Sequence, residues 1–296
     1  MKNKIKLFIF YPLQFLIFLI IFYFFRILSY RLASTIGGKI FSLFGPLTNS
    51  NKITKKNLKK IYPRENKDFL RNVSLKSWEN LGRTMAEFAH IEEITNMNNR
   101  HIIIKGGDNL KLISQNKEQA IFIAIHQSNW EILASTIGSY GIKLNSVYRH
   151  INNPFIDNYI LNIRKKIYKS SNSILSPKGK KSAQDMLKSI KAGYSIALLI
   201  DQKDSSGIPI NLLGYPAKTQ IGFLKLSRKF NLKIYPVENN RINKHTFQIT
   251  IHKPIDVSET EKEISEIEIM TKIHNLISNW INHNPESWLW QHNRWT

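Results

Sequence analysis

Residues 7–25 carry no charged side chain and consist mainly of Phe, Ile and Leu; no other feature constrains the chain as tightly. At about 1.5 Å per residue the run nearly crosses a hydrocarbon core of about 30 Å, and a lone segment in lipid can satisfy its backbone only as a helix. Pro12 and Gln14 interrupt it, although proline is tolerated better in membrane helices than in soluble ones. A cleaved signal peptide would have a shorter apolar region followed by a small-x-small cleavage site. Here Arg26 and Arg31 follow instead, so the run reads as an uncleaved anchor. Ile36, Ile40, Phe41 and Leu43 supply a second apolar face that suits the membrane interface. Residues 1–45 are therefore read as a membrane anchor and residues 46–296 as a separate domain.

The formal charge of +22 calls for an anionic partner: nucleic acid, an acidic membrane surface or a phosphorylated substrate. About half of it is put down to a general preference for Lys, Asn and Ile. Nucleic acid is the weaker reading, because the chain is anchored and has neither zinc-finger spacing nor an RNP-type aromatic motif. The absence of cysteine excludes disulfides and thiolate chemistry. Orientation is not set by local charge, since Lys2, Lys4 and Lys6 balance Arg26, Arg31 and Lys39.

Beyond the anchor, helices are expected at residues 52–60 and 68–91, the second with Phe69, Val73, Trp78, Leu81, Met85 and Phe88 on one apolar stripe. Residues 102–104 read as a strand stopped by Gly106 and Gly107. Residues 120–125 form a continuous apolar run, the pattern of a strand buried on both faces. A helix at 130–140 and a strand at 146–148 follow. Asn153 and Pro154 then cap and open another helix, which buries Phe155, Tyr159, Ile163 and Ile167. Helices at 181–191, 222–230 and 263–282 alternate with strands at 195–200 and 232–237 and an edge strand at 246–252. This alternation predicts an α/β fold: a mixed, largely parallel central sheet flanked by helices, with an N-terminal membrane helix.

The chemistry centres on His126 and Glu131, an H-x4-E pair where a buried strand turns into a helix. Strand carboxyl ends are the usual ligand sites of α/β folds. A histidine there can take a hydroxyl proton, and a carboxylate can fix its tautomer. The pair can meet only if His126 lies in the turn before the helix. The competing reading is a capping box, in which Ser128 and Glu131 merely cap the helix.

The string HQSNWE at 126–131 resembles the bacterial lipid A biosynthesis acyltransferases, within the H-x4-D/E glycerolipid acyltransferase superfamily. The likeness continues through NLGRTMAEF at 80–88, Tyr148-Arg149 with Asn153-Pro154, Asp201-Gln202 at a strand end, GYPAKT at 214–219 and PESWLWQHNRW at 285–295. Asn211, Leu212 and Leu213 depart from the proline and paired phenylalanines usual in that family, a change expected to reshape the acyl or acceptor pocket.

The resemblance implies a glycerolipid-acyltransferase-like fold in the domain at 46–296, and one-step transfer from acyl carrier protein or coenzyme A to a lipid hydroxyl. It implies no metal and no cofactor. His126 would be the general base, Glu131 would orient it, and backbone N–H groups near the helix start would hold the oxyanion. Arg149, Arg164 and Arg83 are candidate phosphate contacts, against the alternative of surface ion pairs. Asp201 is well placed without a defined role, and could anchor Arg149 or Arg164. Trp288, Trp290 and Trp295 read as core or membrane-interface residues, and His292 as structural. The implied setting is the bacterial inner membrane, with the site on the cytoplasmic face where acyl carrier protein resides. Two rivals remain: acylation of another anionic or amino lipid, and a non-catalytic membrane protein that binds acidic partners.

Overall fold

The computed structural model describes residues 6–179, 181–255, 257 and 265–295. A π-helical turn, Lys6–Phe10, leads into α1 (Tyr11–Ile27), and residues 7–27 together form one helix long and apolar enough to cross a membrane. Next come α2 (Tyr30–Phe44), α3 (Asn49–Ile61), α4 (Lys67–Glu87) and α5 (Ile91–Thr95). The remainder alternates: β1 (Ile102–Lys105), α6 (Gly107–Gln115), β2 (Ala120–Ala124), α7 (Leu133–Gly138), β3 (Leu144–Tyr148), α8 (Pro154–Tyr168), β4 (Ile174–Pro177), α9 (Ser182–Lys191) and β5 (Ser195–Leu199). The hairpin β6 (Ile208–Leu212) and β7 (Tyr215–Thr219) precedes α10 (Gly222–Phe230), β8 (Lys233–Asn243), β9 (Thr246–Ile251) and α11 (Glu266–His283).

Seven strands form one sheet in the order β1-β9-β8-β2-β5-β3-β4. All pairs are parallel except β8 with β9. Strand β2 lies at its centre, and every residue of β2 is buried, as its unbroken apolar run requires. Its side chains alternate between two cores: Ile121, Ile123 and Ile125 join one cluster, Phe122 and Ala124 the other.

Several expectations change. Residues 246–251 are not an edge strand: β9 lies between β1 and β8, and its polar side chains alternate toward a face that is only half-buried. Met85 is 44% exposed, and α4 instead buries Ser74, Ser77, Arg83, Thr84 and Glu87 beside Val73 and Trp78. An apolar stripe missed this face because its partners are polar. In α8, Tyr159 meets the anchor rather than the sheet, its ring lying 5.4–6.0 Å from those of Phe15, Phe18 and Phe22. Phe155 likewise stacks on Phe15 and is partly exposed. The Asn153 cap forms as expected, accepting from the N–H groups of Phe155 and Ile156. Strands β4, β6 and β7 have no counterpart in the sequence reading. Of the last helix, Glu263 and Ile264 lie outside the described residues.

Helix α2 packs on α4 where both are glycine: a Cβ on Gly37 would fall 2.6 Å from the carbonyl oxygen of Gly82. Its outward face leaves Leu32, Ile40, Leu43 and Phe44 exposed.

Candidate active site

Strand register builds the centre of the site. β2 and β5 run parallel with Ala124 opposite Leu199, so two residues beyond the ladder His126 stands opposite Asp201. The backbone continues the pairing, with the Ile200 N–H donating to the Ala124 carbonyl. His126 Nδ1–H donates to Asp201 Oδ1 at 2.7 Å, and the His126 backbone N–H to Oδ2 at 3.0 Å. The Trp288 indole N–H adds a third bond to Oδ2, at 2.8 Å. Asp201 is 3% exposed. Burial pushes its pKa up, but the charge and hydrogen bonds of His126 and the Trp288 indole outweigh burial and hold it at about 2. An ionised Asp201 keeps the proton on Nδ1, which leaves Nε2 as the accepting nitrogen. Gln202 Nε2 lies 3.3 Å from that atom.

Glu131 does not make the expected contact with His126. Its carboxylate is held bidentately by Arg164, at 2.6 and 3.0 Å, and among the described residues it makes no hydrogen bond to His126. Burial works against the Arg164 charge, and Glu131 more than restores it, raising the pKa. The capping box is absent too. Asn129 caps the following 3-10 turn by accepting from Glu131 N–H, while Ser128 Oγ accepts from Arg241 N–H. Nor does Asp201 anchor Arg149 or Arg164; it is committed to His126 and Trp288.

The turn between His126 and Glu131 is held from several sides. Ser128 adopts φ 51°, a left-handed conformation costing a non-glycine residue about 1–3 kcal/mol. Thr84 Oγ1 donates to its carbonyl at 2.9 Å, and its own N–H donates to Ser287 O at 2.9 Å. Leu289 N–H donates to His126 O. Behind the turn lies Glu87, fully buried and in bidentate contact with Arg241. Glu87 also accepts from Ser34 Oγ (2.7 Å) and Asn129 Nδ2 (2.9 Å). Burial opposes its ionisation, yet Arg241 and these donors keep its pKa below the ordinary value. Asn239 Nδ2 donates to the Asn129 carbonyl at 2.7 Å.

A cavity of about 810 Å³ opens on this centre. His126, Trp130, Glu131, Arg164 and Gln202 line it together with Arg149, Lys178 and Lys203. Its apolar wall includes Ala197 and Leu199 from one core and Leu198, Ile200 and Met186 from the other. The β3–β5 ladder ends at Ser146–Ala197, whereas β2–β5 continues to Leu199. The sheet thus parts beside the site, which is how one cavity touches both faces.

The structure therefore brings His126, Glu131, Arg164 and the exposed Arg149 to one cavity, with Asp201 buried behind His126, and leaves Arg83 out. Arg83 is buried between α2 and α4, paired with Glu79 and bonded to Ser34. Asn211, Leu212 and Leu213 lie in the β6–β7 hairpin and do not line the cavity; the Asn211 carbonyl accepts from His274 and the Leu213 N–H donates to Ser278. Trp288 and Trp290 are core residues, and His292 Nε2 accepts from Lys203 N–H. Sequence reasoning missed Glu87, Arg241, Asn129 and Asn239. The Asp201 contact had a usable signal: two strand-like runs, 120–125 and 195–200, each followed directly by a polar residue, His126 and Asp201.

No match was found among curated proteins. Among solved structures, the 1-acyl-sn-glycerophosphate (LPA) acyltransferase PlsC from Thermotoga maritima aligns over 87% of this chain and 97% of its own, with 12% identity and a TM-score of 0.40, too distant a likeness to bear on function. Residues 2–296 match the family described as bacterial lipid A biosynthesis acyltransferase, a match over nearly the whole length. The chain belongs to the bacterial lipid A biosynthesis acyltransferase family.

Proposed function

We propose that this acyltransferase moves a fatty acyl chain from the thioester of acyl carrier protein, or of coenzyme A, to a hydroxyl of a lipid A precursor during lipopolysaccharide synthesis. The observation that carries the reading is the His126–Asp201 contact at 2.7 Å, which makes Nε2 the proton-accepting nitrogen, at a cavity with apolar walls. His126 takes the acceptor proton as the hydroxyl oxygen attacks the thioester carbonyl carbon. The resulting imidazolium is stabilised by ionised Asp201, and its proton then passes to the departing thiolate. The reaction needs no metal or cofactor. Glu131 fixes Arg164 in the cavity wall, and Arg149 at the rim supplies a guanidinium for a phosphate of the acceptor.

The apolar helix 7–27 supports a membrane setting; on this reading the enzyme sits at the bacterial inner membrane, with the site on the cytoplasmic face where acyl carrier protein is found. Mass spectrometry of lipid A from cells with and without the protein tests the reading. Loss of one acyl chain in the deletion, restored by the wild type but not by His126→Ala, supports it. An unchanged lipid A with another lipid altered would move the activity to that lipid.

A further inference from the structure

Gln202 stands at the one atom of His126 that the reaction must use. Its Nε2 lies 3.3 Å from His126 Nε2, in the position the acceptor hydroxyl has to occupy. Because Asp201 holds the other ring nitrogen as donor, Nε2 is an acceptor, and the Gln202 amide therefore faces it through N–H. The backbone around Gln202 is clamped on both sides: Ile200 N–H donates to Ala124 O, Asp201 is bonded to His126 and Trp288, and Lys203 N–H donates to His292. The amide itself is far less tied. Its carbonyl oxygen makes no hydrogen bond among the described residues, and the side chain lines the cavity.

The catalytic turn has few backbone donors to spare. His126 N–H donates to Asp201, Gln127 N–H to Ile125 O, Ser128 N–H to Ser287 O and Glu131 N–H to Asn129. Only those of Asn129 and Trp130 are left to help an oxyanion. Acyl transfer to a hydroxyl nevertheless builds a full negative charge on the former carbonyl oxygen, which needs hydrogen-bond donors set in place.

We propose that Gln202 is a catalytic residue that caps His126 Nε2 at rest and donates its amide N–H to the oxyanion during transfer. The inference rests on the reading of His126 as general base. The arriving hydroxyl displaces the amide from Nε2. Its oxygen then bonds to the thioester carbon, its proton goes to Nε2, and the carbonyl π electrons move to oxygen, where the displaced amide meets them. Collapse re-forms the carbonyl and breaks the C–S bond, and the thiolate takes the proton back from Nε2. The products are an ester and a thiol.

The test uses the full-length enzyme in detergent micelles. Dodecanoyl to hexadecanoyl thioesters of acyl carrier protein serve as donors, and lipid A precursor extracted from deletion cells as acceptor. Gln202→Ala is expected to lower kcat by about 10²–10³-fold with KM for both substrates little changed, the signature of a lost oxyanion donor. Gln202→Glu sets a carboxylate beside the imidazole. It should lower kcat at least as far and move the acid limb of the pH profile upward, because a neighbouring anion favours the imidazolium. An acid limb that stays where wild type has it would show that residue 202 does not face Nε2, and would overturn the proposal. His126→Ala separates the two levels: if it stays active, the general-base reading itself fails. If His126→Ala is inactive while Gln202→Ala keeps the wild-type kcat, or shows only a raised KM, the proposal for Gln202 alone is overturned.

Discussion

His126 and Asp201 face each other across the carboxyl ends of two parallel neighbours, β2 and β5, with Nδ1 and Oδ1 2.7 Å apart. The contact follows from register: an offset that pairs Ala124 with Leu199 also pairs His126 with Asp201. The imidazole is thus oriented by a residue distant in sequence, whereas the nearby Glu131 of its own motif points to Arg164.

The pair has a pH signature in stability. The Asp201 pKa is depressed to about 2, so the stability it contributes is complete above its unfolded value of about 3.9 and is lost as pH falls through 2. The contribution is on the order of 2 kcal/mol. Urea unfolding of the detergent-solubilised enzyme should show wild type losing more stability than Asp201→Asn between about pH 4 and pH 2. Parallel losses in both proteins would mean that the buried carboxylate contributes nothing there.

Glu131 and Arg164 should behave as a unit. Removing either charge leaves the other half-buried in the cavity wall without its partner, so Glu131→Gln and Arg164→Gln are each expected to lower kcat/KM by at least ~10-fold. The double substitution should be hardly worse than the more damaging single one. Multiplicative losses would show that the two side chains act separately despite their bidentate contact.

The Glu87–Arg241 pair separates stability from activity. Glu87→Gln should destabilise the fold by roughly 3–5 kcal/mol by leaving Arg241 uncompensated. The apolar pair Glu87→Leu with Arg241→Met should recover much of that loss, since hydrophobic replacements of a buried pair are often neutral. Turnover should stay low, because Asn129 and Ser34 lose their acceptor and the turn carrying His126 is released. Full activity in the apolar double variant would show that the clamp does not position the site.

Removing residues before Arg26 should leave a folded domain that largely departs from the membrane, because the α/β elements begin later in the chain. Residual binding is expected through the exposed Leu43 and Phe44 of α2, and liposome flotation should lose it in Leu43→Ser with Phe44→Ser. Complete retention of the truncated double variant on liposomes, without aggregation, would place the membrane contact elsewhere.

Wherever apolar periodicity decided the outcome, the fold was legible in the sequence. The unbroken run at β2 announced a central strand, and Asn153 with Pro154 announced the start of α8. The stripe on α4 misled because that helix buries serines, an arginine and a glutamate against polar partners on other elements. His126 and Glu131 were visible as a motif, and Asp201, Arg149 and Arg164 as candidates, but who touches whom was not. Spacing within a motif suggested Glu131 as the partner of His126, whereas strand register, a property of two segments far apart, supplied Asp201. Arg83 looked like a phosphate ligand by residue type, yet Glu79 and Ser34 already occupy it.

Whether Asp201 or Glu131 governs the protonation of His126 is tested most directly by the pH dependence of kcat/KM, since its limbs report the free enzyme's acid and base. Asp201→Asn is expected to lower kcat/KM by roughly 10²–10⁴-fold and to move the acid limb to lower pH, because the imidazolium loses its anionic partner. Glu131→Gln should reduce the rate with the limb nearly where wild type has it. If Asp201→Asn kept the wild-type profile while Glu131→Gln displaced the limb, Glu131 would be the residue that governs the base.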